Sequence, residues 1–420
     1  MAALAGLAFS GNGIDVSVIS FALPGMRAEW GLVPADLGLV LPAVGVGQLL
    51  GAIVVGSLAD RFGRRLAFCS TSMMAGAGTG LAGLAPNPLL LGVALFFGGL
   101  GYGGVAPVAG ALVSEFAPAA HRGRLLGFTQ VLWTLGWSAA AIGGGWFARQ
   151  LGWRGILGLG GLPIGIGLLG LLLVPESPRF LFSRGRHADA LALAGRLSER
   201  HGVEVPLGMA PHVPWVASPL GHLIELWRPP FRRRTVALWI TWVAMNAAFT
   251  GPIVWLTLLL ADLGSLGPRV TAFVGFMMFP AALTSTLLIE RTGRRPLILG
   301  SLSLAGVGAL VMAAGPGAVW VAMGAAAVAM GTLAAWPVVL AWASELYPTR
   351  MRGTAGGWAS GCARFGGILA PAVVGLLLSP AGEGRLLAML PFAALLFAAV
   401  AGIALLSEET TGRTLEELSR

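Results

Sequence analysis

An all-α membrane protein, twelve transmembrane helices in two pseudo-symmetric six-helix bundles, is what this sequence predicts. Three observations predict it: the composition, the number and spacing of the apolar runs, and loop motifs that occur once in each half. Of the 420 residues, 56% are hydrophobic and 11% charged, against about 25% charged in an ordinary soluble chain. Mean hydropathy is +0.81. The 64 Gly and 26 Pro fit the same reading, because spanning helices tolerate both where neighbours satisfy the backbone. A soluble enzyme and a disordered chain are excluded.

A span needs about 20 mostly apolar residues. Such runs lie near 3–24, 34–58, 66–85, 88–113, 125–147 and 155–174, and again near 235–260, 268–289, 296–314, 317–343, 354–378 and 386–406. The first is too long for a cleaved leader and ends in a loop. Between the sets, the polar stretch 175–234 carries nine Arg and four of the five His, so it cannot lie in hydrocarbon. The expected organisation is an N-terminal bundle, 1–174, a cytoplasmic linker, 175–234, and a C-terminal bundle with a short cytoplasmic tail, 235–420. Within the linker, Leu191, Leu193 and Leu197 recur among charges at the spacing of a short amphipathic helix. Its expected role is to cover the cytoplasmic span ends, with lipid binding as the alternative. Arg232, Arg233 and Arg234 read as a topology anchor at the edge of the lipid.

All 27 basic residues are arginine, and with 18 acids the net charge is +9. With both termini cytoplasmic, 21 arginines fall on the cytoplasmic side and five, Arg27, Arg149, Arg154, Arg269 and Arg385, on the other. That bias is the positive-inside rule. It explains the basic excess by topology, without nucleic acid. Cys69 and Cys362 lie inside apolar runs and read as small core residues.

Two loop motifs repeat. Gly56, Asp60, Arg61, Gly63, Arg64 and Arg65 after the second run match Glu290, Arg291, Gly293, Arg294 and Arg295 after the eighth. Ser114, Glu115 and Pro118 with Arg122 and Arg124 match Ser344, Glu345 and Pro348 with Arg350 and Arg352. The glycine permits a tight turn between antiparallel helices, and the arginines cannot cheaply cross the bilayer.

Only two ionisable groups lie near mid-span, Asp15 and Arg364, where a charge costs about 2.5 to 3.5 kcal/mol on insertion scales. Burial disfavours the charged form of an acid, which makes Asp15 the candidate proton site. The fixed charge and planar fork of Arg364 suit a carboxylate. Together they imply an anion–proton symporter; the alternative is that the two pair to hold the halves together. Polar and aromatic residues inside the runs complete the candidate cavity lining: Asn12, Gln48, Tyr102, Gln130, Trp133, Trp137, Trp242, Asn246, Trp255 and Trp336. Indoles offer a stacking surface to a flat ring, or else pack helices. Clustered glycines, Gly98 to Gly104 and Gly143 to Gly145, read as close-packing positions.

With twelve spans, a long central loop and G-x-x-x-D-R-x-G-R-R after the second, the chain resembles the major facilitator superfamily over essentially its whole length. Pro175-Glu176-Ser177-Pro178-Arg179 resembles an element of its sugar porters and their organic-acid-transporting relatives. Asn12-Gly13-Ile14-Asp15 resembles the D-G-x-D element of the aromatic-acid, niacin and benzoate symporters. Arg364, before Gly366, Gly367 and Pro371, matches their eleventh span. Asn12 stands where that element has its first acid, and Leu95 where the fourth span usually has arginine. The resemblance implies two bundles around a cavity that opens alternately to each side. It also implies a cytoplasmic gate made of Asp60, Arg61, Arg64, Arg65, Glu115, Arg122, Arg124, Glu290, Arg291, Arg294, Arg295, Glu345, Arg350 and Arg352, which otherwise read as topology signals and helix caps.

The expected function is import of a small organic carboxylate, aromatic or heteroaromatic, with a proton, across a bacterial-type inner membrane. No cofactor is expected, the proton gradient being the energy source, and the expected state is a monomer in lipid. A drug or metabolite exporter, a sugar transporter, a uniporter and a non-transporting receptor of the same fold are the alternatives. With no Lys in the chain, a phosphate-loop lysine is impossible. No catalytic cluster or metal spacing is evident in the sequence, so an enzyme is not expected.

Overall fold

The computed structural model describes residues 2–116, 122–201, 224–229, 231–264, 266–347, 349–378, 384–407 and 409 of the 420. The first half comprises α1 (Ala2–Trp30), α2 (Pro34–Val40), α3 (Pro42–Phe62), α4 (Arg64–Ala82), α5 (Pro88–Phe116), α6 (Arg122–Leu159) and α7 (Leu162–Leu173). The linker holds α8 (Pro178–Ser183) and α9 (His187–His201). In the second half, α10 (Phe231–Ala248) runs through a π-helical turn, Phe249–Ile253, into α11 (Leu256–Leu259). It continues with α12 (Leu266–Thr292), α13 (Arg294–Ala314), α14 (Ala318–Glu345), α15 (Thr349–Leu377) and α16 (Arg385–Leu406).

Ten segments among the described residues are long and apolar enough to span a membrane. Two of the twelve runs fall short of that measure. One is α4, diluted by Ser70, Thr71, Ser72 and Thr79; the other is the fifth run, whose apolar part is Val131–Gly144. The fifth run and the start of the sixth join in the single element α6, which Gly152 breaks with φ 60 and ψ 177, and the rest of the sixth run is α7. Leu172 and Leu405 are each 80% exposed, a surface suited to lipid and costly in water.

The same pairings recur in both halves. Contacts of α1 with α6, α3 with α5 and α4 with α7 are mirrored by α10 with α15, α12 with α14 and α13 with α16. The first helix of each half is the most enclosed, 78% of its apolar window buried in α1 and 67% in the segment from α10. Glycines set the spacing: a Cβ at Gly99 or Gly103 would strike the backbone of Val44 or Gln48 on α3, and one at Gly101 would strike α4. Gly143 differs from expectation, because nothing approaches it within 4 Å.

The halves meet where α15 packs on α2 and α3, α6 on α12, and α1 on α11. The tightest of these contacts lie toward the face opposite the arginine-rich loops. There Gly38 meets Gly375, a Cβ at the first falling 2.9 Å from the Cα of the second. Trp137 fills the space beside Gly275, whose carbonyl accepts from Ser138 Oγ at 2.9 Å. Ser20 and Thr257 hydroxyls lie 3.2 Å apart.

Candidate functional site

Near mid-depth, between the bundles, α1, α3 and α5 of the first half face α10 and α15 of the second. Asp15 on α1 is 4% exposed, and neither of its carboxylate oxygens has a hydrogen-bond partner among the described residues. It opens onto a small crevice shared with Gln48, Thr79, Leu95 and Tyr102, with room for about one water. Leu95, 1% exposed, makes an apolar wall of that crevice. Asn12 is one turn before Asp15 on α1, 3% exposed, with its Oδ1 unpartnered.

Arg364, half-buried on α15, donates Nη1–H to Gln48 Oε1 on α3 at 2.6 Å. This bond crosses between the halves. Among the described residues no carboxylate neutralises the guanidinium, and Arg364 and Asp15 do not pair. The pairing alternative raised by the sequence is therefore not the arrangement found.

Aromatic residues flank these groups. Trp133 Nε1 donates to the Tyr102 hydroxyl at 3.2 Å, and its ring lies 5.8 Å from Phe249. Phe249 opens the π-helical turn, which holds Gly251 and Pro252. A π turn inserts an extra residue and is a frequent mark of functional segments; here it re-aims the first span of the second half. Just before it, Asn246 Nδ2 donates to the Trp242 carbonyl at 3.3 Å, and Thr250 Oγ1 to the Asn246 carbonyl at 2.7 Å. Asn246 Oδ1 and Thr250 face Gly367 of α15, each 3.9 Å from where a Cβ would stand.

The other sequence candidates are distributed differently. Trp336 is half-buried and stands edge-to-face with Trp242 at 5.5 Å. Trp242, Trp137 and Trp255 are buried at 6%, 1% and 0% exposure, so in this arrangement they pack the core. The Gln130 side chain lies outside the described residues. Phe249 and Thr250 escaped the sequence reading, although Gly251-Pro252 in mid-run was a signal of a broken helix. Thr79 escaped because a lone threonine carries none.

On the arginine-rich face, the repeated loops fold alike. Gly63 (φ 104) and Gly293 (φ 92) are each the single residue between two helices, in a conformation that glycine adopts without strain. Glu176 Oε1 accepts the backbone N–H of Arg64 at 2.8 Å and of Arg65 at 3.2 Å, capping α4. Glu409 does the same for α13, accepting from the N–H groups of Arg294 at 3.1 Å and Arg295 at 2.9 Å. An anion at a helix start meets both free donors and the positive end of the dipole. Arg65 reaches on to the Leu171 carbonyl at the end of α7. Its counterpart Arg295 reaches Ala404 near the end of α16, at 2.6 Å.

Glu345 pairs with Arg294 at 3.0 Å, joining α14 to α13 within one half. Arg184 of the linker donates to the Arg61 carbonyl, and Arg291 is exposed. The side chains of Asp60, Glu115, Arg122, Arg124, Glu290, Arg350 and Arg352 lie outside the described residues.

Comparison with known proteins adds four findings. The family model for "Sugar (and other) transporter" matches residues 25–420. The niacin transporter NiaP of Acinetobacter baylyi is 32% identical over 98% of this chain and 94% of its own. The 4-hydroxybenzoate transporter PcaK of the same organism is 27% identical, over 87% and 82%. Among solved structures, the inward-open form of the Escherichia coli xylose transporter XylE superposes with a TM-score of 0.77 at 19% identity, covering 99% of this chain and 98% of that one.

Proposed function

This chain belongs to the sugar (and other) transporter family of the major facilitator superfamily, and from that premise we propose that it imports a small aromatic carboxylate together with a proton. It is a multi-pass membrane transporter and not an enzyme. The observation that carries the reading is Arg364: a guanidinium at mid-depth whose only partner among the described residues is a neutral amide. A charge held there without a counter-ion is costly, and a planar carboxylate is the ligand that relieves it, by two parallel hydrogen bonds. The rings of Tyr102, Trp133 and Phe249 beside it favour a flat partner. Relatives named for niacin and 4-hydroxybenzoate support the same substrate class.

Asp15 takes the proton role. It is enclosed, has no cation bonded to it, and opens onto the crevice that it shares with Gln48 and the Thr79 hydroxyl. A proton from the aqueous side forms the O–H of Asp15 and returns to water on the other side. The bundles, 1–174 and 235–420, rock about this site, and the loop arginines with Glu115, Glu345, Asp60 and Glu290 form the gate on the opposite side from Gly38 and Gly375. The arginine excess supports an inner-membrane location with both termini and the gate cytoplasmic.

Uptake into proteoliposomes tests this, with labelled benzoate, nicotinate, xylose and a cationic dye offered with and without an inward proton gradient. Acid uptake that the gradient stimulates, and that Arg364→Ala abolishes, is the expected result. Lysine at the same position keeps the charge but loses the fork, so KM for the acid should rise by about tenfold. Dye extrusion without acid uptake would overturn the reading in favour of an exporter. Equal acid uptake in both conditions would overturn the proton part of the reading and make the protein a uniporter.

A further inference from the structure

Gln48 stands between the two groups that the transport reading uses. Its Oε1 is bound to Arg364 of the other half, while its side chain borders the crevice onto which Asp15 opens. Among the described residues its amide nitrogen has no partner, since the bond to Arg364 is the one hydrogen bond it makes. An amide offers one acceptor and one donor group. While the oxygen is bound to Arg364, one of its two lone pairs is taken and the N–H groups are the part of Gln48 left without a partner among the described residues, and an N–H complements an ionised carboxylate.

A substrate carboxylate reverses this. A charge-assisted, bidentate pair with a guanidinium is about twice as strong as a bond to a neutral amide, so the substrate takes the place of Gln48 on Arg364. The released amide oxygen is then an acceptor in search of a donor, and the O–H of a protonated Asp15 is the donor the crevice supplies. The titratable group that shares the crevice with Asp15 is Tyr102 on α5, and Arg364 on α15 acts on Tyr102. Of the other elements against α1, α4 brings Thr79, the Val131–Gly144 part of α6 has no titratable residue, α7 and α11 have none, and α2 has Asp36 in its first turn, bonded to the backbone N–H of Val33.

We propose that Gln48 couples the two loads: its amide oxygen caps Arg364 in the empty carrier, and a substrate carboxylate that displaces it frees this oxygen to accept a hydrogen bond from the O–H of a protonated Asp15, which keeps its proton. Anion and proton are then taken up together, although their sites are on different helices. The proposal rests on the transport reading above and adds a part to it.

Two variants test it in proteoliposomes, reading uptake of labelled benzoate together with internal pH from a trapped dye. Gln48→Leu removes both ends of the amide. The ratio of uptake with an inward proton gradient to uptake without it, expected to be well above one in the wild type, should fall to about one, and acid entry should no longer acidify the interior, as linkage requires once the coupling group is lost. Gln48→Glu places a carboxylate on Arg364 whenever that acid is ionised. Benzoate should then bind about tenfold or more weakly at pH 8 than in the wild type, with the difference shrinking at pH 5 as the new acid is protonated.

Gradient stimulation that persists undiminished in Gln48→Leu would overturn the proposal. So would benzoate affinity in Gln48→Glu that matches the wild type at pH 8, which also serves if the leucine variant fails to fold. A wild type that carries no acid, or an Arg364→Ala variant that still does, would instead sink the transport reading itself.

Discussion

Tyr347, four residues beyond the described span that ends at Ala343, is 2% exposed, and its hydroxyl lies 3.0 Å from Thr235 Oγ1 of α10. Burial pushes this phenol from 10.0 up to about 12, against smaller opposite effects of Thr235 and Arg234. The folded protein therefore holds the phenolic proton more tightly than the unfolded chain. The stability this contributes is fully present below pH 10 and is lost as pH rises through 12. Thermal unfolding in detergent should show a Tm that falls more steeply over that interval in the wild type than in Tyr347→Phe. At neutral pH the same substitution should cost about 1 kcal/mol, the usual value of one buried hydrogen bond. At this scale Asp15 and Arg364 were legible because charges are so rare in the apolar runs. Gln48 was legible as a polar residue, but its partner was not: the two are 316 positions apart, and no local pattern joins them.

Helix starts are where the elements of this protein are secured. Glu176 follows α7 and caps α4, whereas Glu409 follows α16 and caps α13. Each carboxylate therefore closes one half by tying the end of its last span to the start of its third. Glu176→Ala and Glu409→Ala should each lower stability by about 1 to 2 kcal/mol, on the scale of a lost helix cap. Because they act in different halves, the double variant should lose the sum within about 0.5 kcal/mol; a chemical or thermal melt of the three variants measures it. Gly63→Ala would force a β-carbon into positive φ and against the Glu176 carboxylate, disturbing the same joint. The loop motif was plain in the sequence, and its glycine had the expected use. Glu409 was not foreseen, since Ser407-Glu408-Glu409 does not look like Pro175-Glu176-Ser177, and only the shared position after the last span of each half makes them equivalent.

For the molecule as a whole, the informative feature is that the tight glycine contacts between halves lie toward one face. Gly38 against Gly375, and Gly275 against Trp137, leave no volume for a larger side chain. Gly38→Trp together with Gly275→Trp should hold the halves apart there, abolishing uptake while benzoate binding survives; calorimetry and flux on the same preparation separate the two. Flux equal to wild type would mean that this face need not close. The sequence by itself determined the lipid environment, the two-fold repeat, the linker and the two charges that have no place in hydrocarbon. Composition and periodicity act locally, and a bilayer punishes polar backbone and charge wherever they occur. Only the tertiary structure decided that Arg364 takes Gln48 as its partner, that Asp15 stays without one, and that the halves close at the face away from the arginines. Those outcomes depend on how two separately legible bundles are set against each other, which is a matter of shape and long-range contact that no stretch of chain encodes alone.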